Sequence, residues 1–219
     1  MSVRSDFHHA LETLQQDLLR MGSYVEEAIS LSTKALLDQD RQLASQVIAN
    51  DDRIDRLQHD VEERCMKLIA LQQPMAKDLR KISSAWRISL ELERMADNAC
   101  GVAKSVRRIA EQPYVKTLVN TPIMSSVCQQ MVKMGLDAYL QEDIELAIKM
   151  SDLDNQVDAL YKHIFNDLLQ LMLKDPSVIN QATQLIFIAR YLERFGDHAT
   201  NIAETVVYLV TGERKELNP

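Results

Sequence analysis

Two stretches of the sequence, LERMADNACGVAKSV at 92–106 and LERFGDHATNIAETV at 192–206, decide the fold because they are two copies of one pattern. They align without a gap at an offset of 100, and seven of the fifteen positions are identical. In each copy, small and medium-sized apolar residues recur with the period of an amphipathic α-helix. The sequence therefore predicts a duplicated helical unit.

The duplication extends to the segments that precede these stretches. At an offset of 103, seven residues of the first half match identical residues of the second half: Ala35, Asp40, Leu43, Ala44, Asp51, Asp55 and Leu57 match Ala138, Asp143, Leu146, Ala147, Asp154, Asp158 and Leu160. The internal prolines fall where the apolar period breaks, as expected of a residue that disrupts helix interiors: Pro74, Pro113, Pro122 and Pro176. Together these patterns predict helices at about 5–38, 41–71, 76–111, 121–140, 143–173 and 178–211.

We therefore predict an all-α protein of two pseudo-symmetric three-helix bundles, built from six long antiparallel helices. The first bundle covers residues 1–111, a linker covers 112–122, and the second bundle covers 123–219. The composition agrees, since the chain has five glycines where average usage would give roughly fifteen. Only 5% of the residues are aromatic, which disfavours a β-rich domain.

Charge and cysteine content narrow the class of protein. The net charge is −7, with −2 in residues 1–111 and −5 in residues 112–219, so neither half is basic enough to predict a nucleic-acid partner. Three cysteines cannot all pair within the chain, which favours a reducing cytoplasm. No apolar run is long enough for a signal peptide or a membrane span, so we expect a cytoplasmic protein, at most peripheral at the inner membrane through its partners.

Carboxylates recur at i and i+4 in four helical segments, and each such pair shares one helix face. The pairs are Asp51 with Asp55, Glu93 with Asp97, Asp154 with Asp158, and Glu193 with Asp197. In each repeat the two pairs lie at similar distances before and after the turn, 21 and 21 residues from Pro74 and 20 and 19 residues from Pro176. An antiparallel hairpin therefore brings four carboxylates to one level in each repeat.

Clustered anions require positive charge, and oxygen ligands suit Mg²⁺, Mn²⁺ or iron. The sequence thus predicts a divalent metal site in each repeat. The alternative is a salt-bridge network in which nearby arginines neutralise the carboxylates, namely Arg53, Arg56, Arg94 and Arg194. The second site extends along its helix to Asn201 and Glu204, where the first has Gly101 and Lys104, so we expect the second site to bind metal more tightly.

Motifs for catalysis are not evident. No Glu precedes a His by three residues, as the helices of a ferritin-like di-iron oxidase require. The chain also has no Gly-rich phosphate loop and no nucleophile elbow. We therefore expect a protein that is not an enzyme.

Four segments together resemble the PhoU family of accessory regulators of bacterial phosphate-specific transport. They are LQQPMAKDLR at 71–80, LERMADN at 92–98, LERFGDHATNIAE at 192–204 and VVYLVTGE at 206–213. The resemblance implies two three-helix bundles and multinuclear metal sites built from the same paired carboxylates. In the first repeat, Gly101 departs from the Asn that the family often has.

The resemblance also implies a function. A member of this family is expected to be a cytoplasmic negative regulator of the phosphate-starvation response, linking the ATP-binding subunit of the phosphate transporter to a sensor histidine kinase. Long amphipathic helices in two similar bundles could contact two partners, or a second copy in a homodimer. Two alternatives stay open: a metal-dependent phosphohydrolase, and a helical adaptor whose carboxylates are merely solvated.

Overall fold

The helices follow the predicted order. The structure is a computed structural model that describes residues 3–217, and its helices are α1 (Val3–Asp38), α2 (Arg41–Asn50), α3 (Asp52–Gln72), α4 (Ala76–Ile109), α5 (Asn120–Gln141), α6 (Ile144–Lys174) and α7 (Ile179–Thr211). A short 3₁₀ turn, Pro176–Val178, precedes α7. The all-α prediction and the tandem repeat are confirmed. The helix expected over 41–71 is interrupted at Asp51, which separates α2 from α3.

Two equivalent capping turns show why the helices begin where they do. The Asp40 carboxylate accepts hydrogen bonds from the backbone amides of Gln42 and Leu43, at 2.8 and 2.9 Å. Asp143, its equivalent in the second repeat, accepts one from the Leu146 amide at 3.0 Å. Each side chain satisfies amides that the first turn of a helix leaves unpaired. The duplicated aspartates thus fix the starts of α2 and α6.

Prolines mark the remaining turns. Pro74 lies between α3 and α4, and Pro113 lies in the segment between the repeats. Pro122 stands instead in the first turn of α5, where a proline fits because the amide it lacks has no helical partner. The Asp175 carboxylate accepts from the Ser177 amide at 3.0 Å and so supports the turn at Pro176.

The third helices of the two repeats, α4 and α7, pack against each other at the centre. Their contacts run in opposite directions along the chain. Near the start of α4, Arg80 Nε donates to the carbonyl of Leu209 at 3.2 Å, and near its end Arg108 donates to Gln184 Oε1 at 3.3 Å. The two helices are therefore antiparallel, related by an approximate two-fold axis.

The outer helices complete one shared core. Helices α1, α2 and α3 cover α4, whereas α5 and α6 cover α7. The repeats also meet between α1 and α5, where Thr33 donates to Ser125 at 2.8 Å. The buried apolar side chains of both repeats form one continuous cluster. The repeats are thus equivalent in sequence but depend on each other for burial.

The segment that follows α4 packs against both repeats. Tyr114 donates to the carbonyl of Leu36 in the first repeat. The Val115 amide donates to Gln181 Oε1 at 2.7 Å, and Lys116 pairs with Asp167 at 2.7 Å, both in the second repeat. No helix described between residues 3 and 217 has an apolar stretch long enough to cross a membrane.

Candidate functional site

The first acidic cluster is formed by α3 and α4 around the helix break. It comprises Asp51, Asp55, Glu93 and Asp97. Burial raises the pKa of Asp51, Asp55 and Glu93, and the neighbouring carboxylates of the cluster raise each of them further. The structure therefore brings the four side chains close enough to repel one another.

The second acidic cluster is formed by α6 and α7 and is more deeply buried. It comprises Asp154, Asp158, Glu193 and Asp197. Asp154 is 2% exposed and Glu193 is 9% exposed. Burial, together with Asp197, Asp158 and Asp154, raises the pKa of Glu193 to about 7 even though Arg190 opposes the shift. Burial also raises the pKa of Asp197, with Asp158 adding to it.

Hydrogen bonds leave part of the second cluster without a partner. Arg190 donates to Glu193 Oε1, but Glu193 Oε2 is buried and, among the described residues, has no hydrogen-bond partner. Lys162 lies 3.5 Å from Asp158 at the exposed edge of the cluster. A buried carboxylate oxygen without a donor is costly, so this cluster can take up further positive charge.

The arginines of the alternative salt-bridge network are mostly engaged elsewhere. Arg53 pairs with Glu27 at 3.4 Å, and Arg94 pairs with Glu91 at 3.3 Å. The Arg56 guanidinium donates to the carbonyl of Asp52 at 2.9 Å. Within residues 3–217, none of the four predicted arginines forms an ion pair with a carboxylate of either cluster. The first cluster is instead neutralised in part by Lys104, whose charge opposes the rise in the pKa of Asp51.

The structure gives Asn201 and Glu204 contacts outside the second cluster. Asn201 donates to Glu91 Oε2 at 3.1 Å, across the α4–α7 interface. Glu204 Oε1 accepts from the backbone amide of Leu217 at 3.0 Å. The arrangement therefore joins Asn201 to the first repeat and Glu204 to the C-terminal segment. A role for either residue as a metal ligand stays a prediction.

Glu91 is a buried group that the sequence did not single out. Its Oε2 atom also accepts from His198 Nδ1 at 2.8 Å. Burial tends to raise the pKa of Glu91, but the hydrogen bonds from His198 and Asn201 outweigh it and lower that pKa. The repeat alignment held a signal, because the offset of 100 places Tyr191 opposite Glu91 and so makes this an unequal position.

Gly101 has a packing role at the equivalent contact. A Cβ atom at Gly101 would lie 2.6 Å from Cε1 of Tyr191, so the tyrosine ring rests where a larger residue would stand. One contact between α4 and α7 therefore joins Glu91 to Asn201, and its pseudo-symmetric counterpart joins Tyr191 to Gly101. The difference between Gly101 and Asn201, predicted from sequence to concern metal binding, here fits helix packing.

The chemistry of the clusters fits a hard divalent cation, but the side chains are not arranged around one. All eight cluster residues offer carboxylate oxygens, the ligands that Mg²⁺, Mn²⁺ and iron accept. Among the described residues, no three His, Cys, Asp or Glu side chains stand in positions to hold a metal ion together. Metal binding would therefore require the carboxylates to change rotamer.

Comparison with known proteins identifies the family. A family model described as the PhoU domain matches residues 18–106 and again 121–206. The phosphate-specific transport system accessory protein PhoU homolog of Clostridium acetobutylicum is 40% identical over 217 residues, covering 99% of each chain. Neither the description of the family model nor the name of this relative refers to a catalytic activity.

Solved structures agree with both the fold and the family. The crystal structure of PhoU from Pseudomonas aeruginosa superposes with a TM-score of 0.90 at 38% identity, covering 94% of this chain and 100% of that one. The phosphate transport system regulatory protein PhoU from Streptococcus pneumoniae superposes with a TM-score of 0.87 at 33% identity, covering 95% and 99%. The resemblance found in the sequence is thus confirmed, and the chain belongs to the PhoU family.

Proposed function

We propose that this chain is a negative regulator of the phosphate-starvation response and of phosphate uptake, active when phosphate is plentiful. The observation that carries the proposal is the similarity along 99% of the chain to an accessory protein of phosphate-specific transport. A relative with the same fold is named a phosphate transport system regulatory protein. The duplicated architecture, the paired carboxylates and the family membership support the same role.

The proposed mode of action is that of an adaptor between the transporter's ATP-binding subunit and a sensor histidine kinase. Exposed apolar side chains at the two long hairpin turns support it. Leu71 and Met75 are 77% and 80% exposed at the α3–α4 turn, and Leu173 is 71% exposed before the α6–α7 turn. Because α4 and α7 are antiparallel, these turns lie at opposite ends of the molecule. Two apolar ends suit two partners, or one partner and a second copy in a homodimer.

The proposal includes a divalent cation, Mg²⁺, Mn²⁺ or iron, in each acidic cluster, with room for more than one ion. Asp51, Asp55, Glu93 and Asp97 would hold it in the first repeat, and Asp154, Asp158, Glu193 and Asp197 in the second. The cation would supply the positive charge that four carboxylates lack. The partnerless Glu193 Oε2 and the raised pKa values of the clusters support this assignment.

Complementation tests the function. In a strain that lacks its own copy, the wild-type chain should repress a phosphate-starvation reporter in ample phosphate and should retain the transporter ATPase and the sensor kinase in a pull-down. Asp197→Ala, which removes a cluster carboxylate, should weaken both results. Asp152→Ala removes an exposed carboxylate of α6 outside the cluster and should leave both unchanged.

Two results would contradict this proposal. One is full expression of the reporter in ample phosphate with the wild-type chain present. The other is metal-dependent hydrolysis of a phosphoester by the purified chain that Asp197→Ala abolishes, because it would make the chain a phosphohydrolase.

A further inference from the structure

A groove of about 510 Å³ opens along the central contact between α4 and α7. We name it the crossing groove and define it by Arg94, Gly101, Lys104, Tyr191, Arg194 and His198. Its volume falls in the range of sites for small molecules, about 300–1,000 Å³. The groove lies outside the carboxylate pairs, except that Asp97 borders it.

Positive charge from both repeats converges in the crossing groove. Arg94 and Arg194 occupy the same position of the duplicated sequence, 100 residues apart. Because α4 and α7 cross about an approximate two-fold axis, both arginines line one groove, and Lys104 adds a third cation. The chain as a whole carries a charge of −7, so this local excess of positive charge runs against the rest of the molecule.

These cations are largely available to a ligand. The Arg94 side chain is 54% exposed and pairs with Glu91 through a single contact of 3.3 Å. In residues 3–217, neither Arg194 nor Lys104 has an ion-pair partner within 4.0 Å. Asp97 offsets part of the charge, which leaves an excess of cations in the groove.

The packing of Tyr191 on Gly101 keeps the groove open. The absence of a side chain at Gly101 lets the tyrosine ring lie against α4, since a Cβ there would approach Cε1 of the ring to 2.6 Å. At the pseudo-symmetric contact, Asn201 and His198 reach Glu91 and close the space with hydrogen bonds. The duplication has therefore diverged so that one contact is closed and the other borders an open basic groove.

We propose that the crossing groove binds a phosphate-bearing anion between Arg94 and Arg194, with Lys104 beside it. Two planar guanidinium groups suit a phosphate because each can donate two parallel hydrogen bonds to its oxygens. The volume admits an oligophosphate or a phosphate ester as well as a single phosphate. The choice of phosphate over other anions rests on the proposed function, whereas the groove and its charges do not.

Titration calorimetry in EDTA tests the proposal without any metal that could bridge protein and anion. Inorganic phosphate, pyrophosphate and ATP are titrated separately into the full chain, and their relative affinities identify the source of the phosphate group. At least one should bind saturably, and Arg194→Gln should weaken that binding roughly tenfold or more, as expected for the loss of a charged hydrogen-bonding pair. Arg194→Lys should give an intermediate loss because it keeps only the charge.

Arg107→Gln is the matched control, because Arg107 is an exposed arginine of α4 that does not line the groove. Its affinity should equal that of the wild type, and circular dichroism should show all variants to be equally helical. Equal weakening by Arg107→Gln and Arg194→Gln would overturn the proposal. So would binding of an acidic peptide with no binding of the three phosphates at millimolar concentration.

The outcome is separable from that of the proposed function. A chain that represses the reporter but binds none of the three phosphates overturns the groove alone. A chain that binds phosphate through Arg194 but does not repress the reporter overturns the function alone.

Discussion

The two acidic clusters have the same four carboxylates in sequence but differ in depth. In the second cluster, Asp154 and Glu193 are 2% and 9% exposed, whereas in the first cluster Asp97 is exposed and the other three are half-buried. The structure offers a reason in one position of the repeat. Gly196 of α7 stands where α4 has Ala96, and a Cβ at Gly196 would lie 3.4 Å from Asp154 Oδ1. The glycine thus lets α6 bring its aspartate against α7.

This difference shows how a duplicated site diverges without a change in its ligands. Burial of a carboxylate disfavours its charged form, and nearby carboxylates add to that effect. The pKa of Glu193 rises to about 7, and the pKa of its equivalent Glu93 is also raised, in both cases chiefly by burial. The deeper cluster gains more from a bound cation, so depth and metal affinity are expected to increase together.

The largest expected effect concerns stability and pH. Between about pH 5 and pH 7 the unfolded chain has ionised Glu193 while the folded chain still keeps its proton, so the free energy of unfolding should fall as the pH rises. The loss should be on the order of 2 kcal/mol in EDTA. Urea titrations across this pH range should show a flatter profile for Glu193→Gln.

The matched variant in the first repeat sharpens this result. Glu93→Gln should flatten the profile less, because Glu93 is less deeply buried than Glu193. Equal flattening by the two variants would show that the clusters do not differ electrostatically.

A smaller effect on stability is expected from Gly196→Ala. The new Cβ would lie 3.3 Å from Val157 Cγ1 and 3.4 Å from Asp154 Oδ1, so these neighbours must shift by a few tenths of an ångström. Alanine favours the helix by about 1 kcal/mol over glycine, which should keep the net change in stability below about 1 kcal/mol. Metal affinity, measured by calorimetry, should nevertheless fall because Asp154 moves outward. An unchanged affinity would remove Gly196 as the cause of the difference in depth.

The sequence predicted the features that depend on local chemistry and on symmetry. The six helices, the turn at Pro74 and the equivalent caps at Asp40 and Asp143 follow from residues close together in the chain. The break at Asp51 was not predicted, because the apolar period continues from Val47 to Ile54 across it. A carboxylate cluster at that point interrupts hydrogen bonding without changing the hydrophobic pattern.

Contacts between the repeats could not be predicted from either repeat alone. The sequence grouped Asn201 with the carboxylates because it lies one helical turn beyond Asp197, and helical spacing carries no information about the opposing helix. Only the antiparallel packing of α4 on α7 brings Asn201 to Glu91 and Tyr191 to Gly101. The crossing groove arises from the same packing, so it too has no signature in the spacing of its residues.

Calorimetric titration of Mg²⁺ and Mn²⁺ into the metal-free chain tests the central claim most directly, namely that the two clusters bind divalent metal with unequal affinity. The wild type should bind at two classes of site. Asp197→Ala should remove the tighter class and Asp97→Ala the weaker one, with both variants as helical as the wild type. A larger loss from Asp97→Ala, or no binding of either metal by the wild type, would contradict the account.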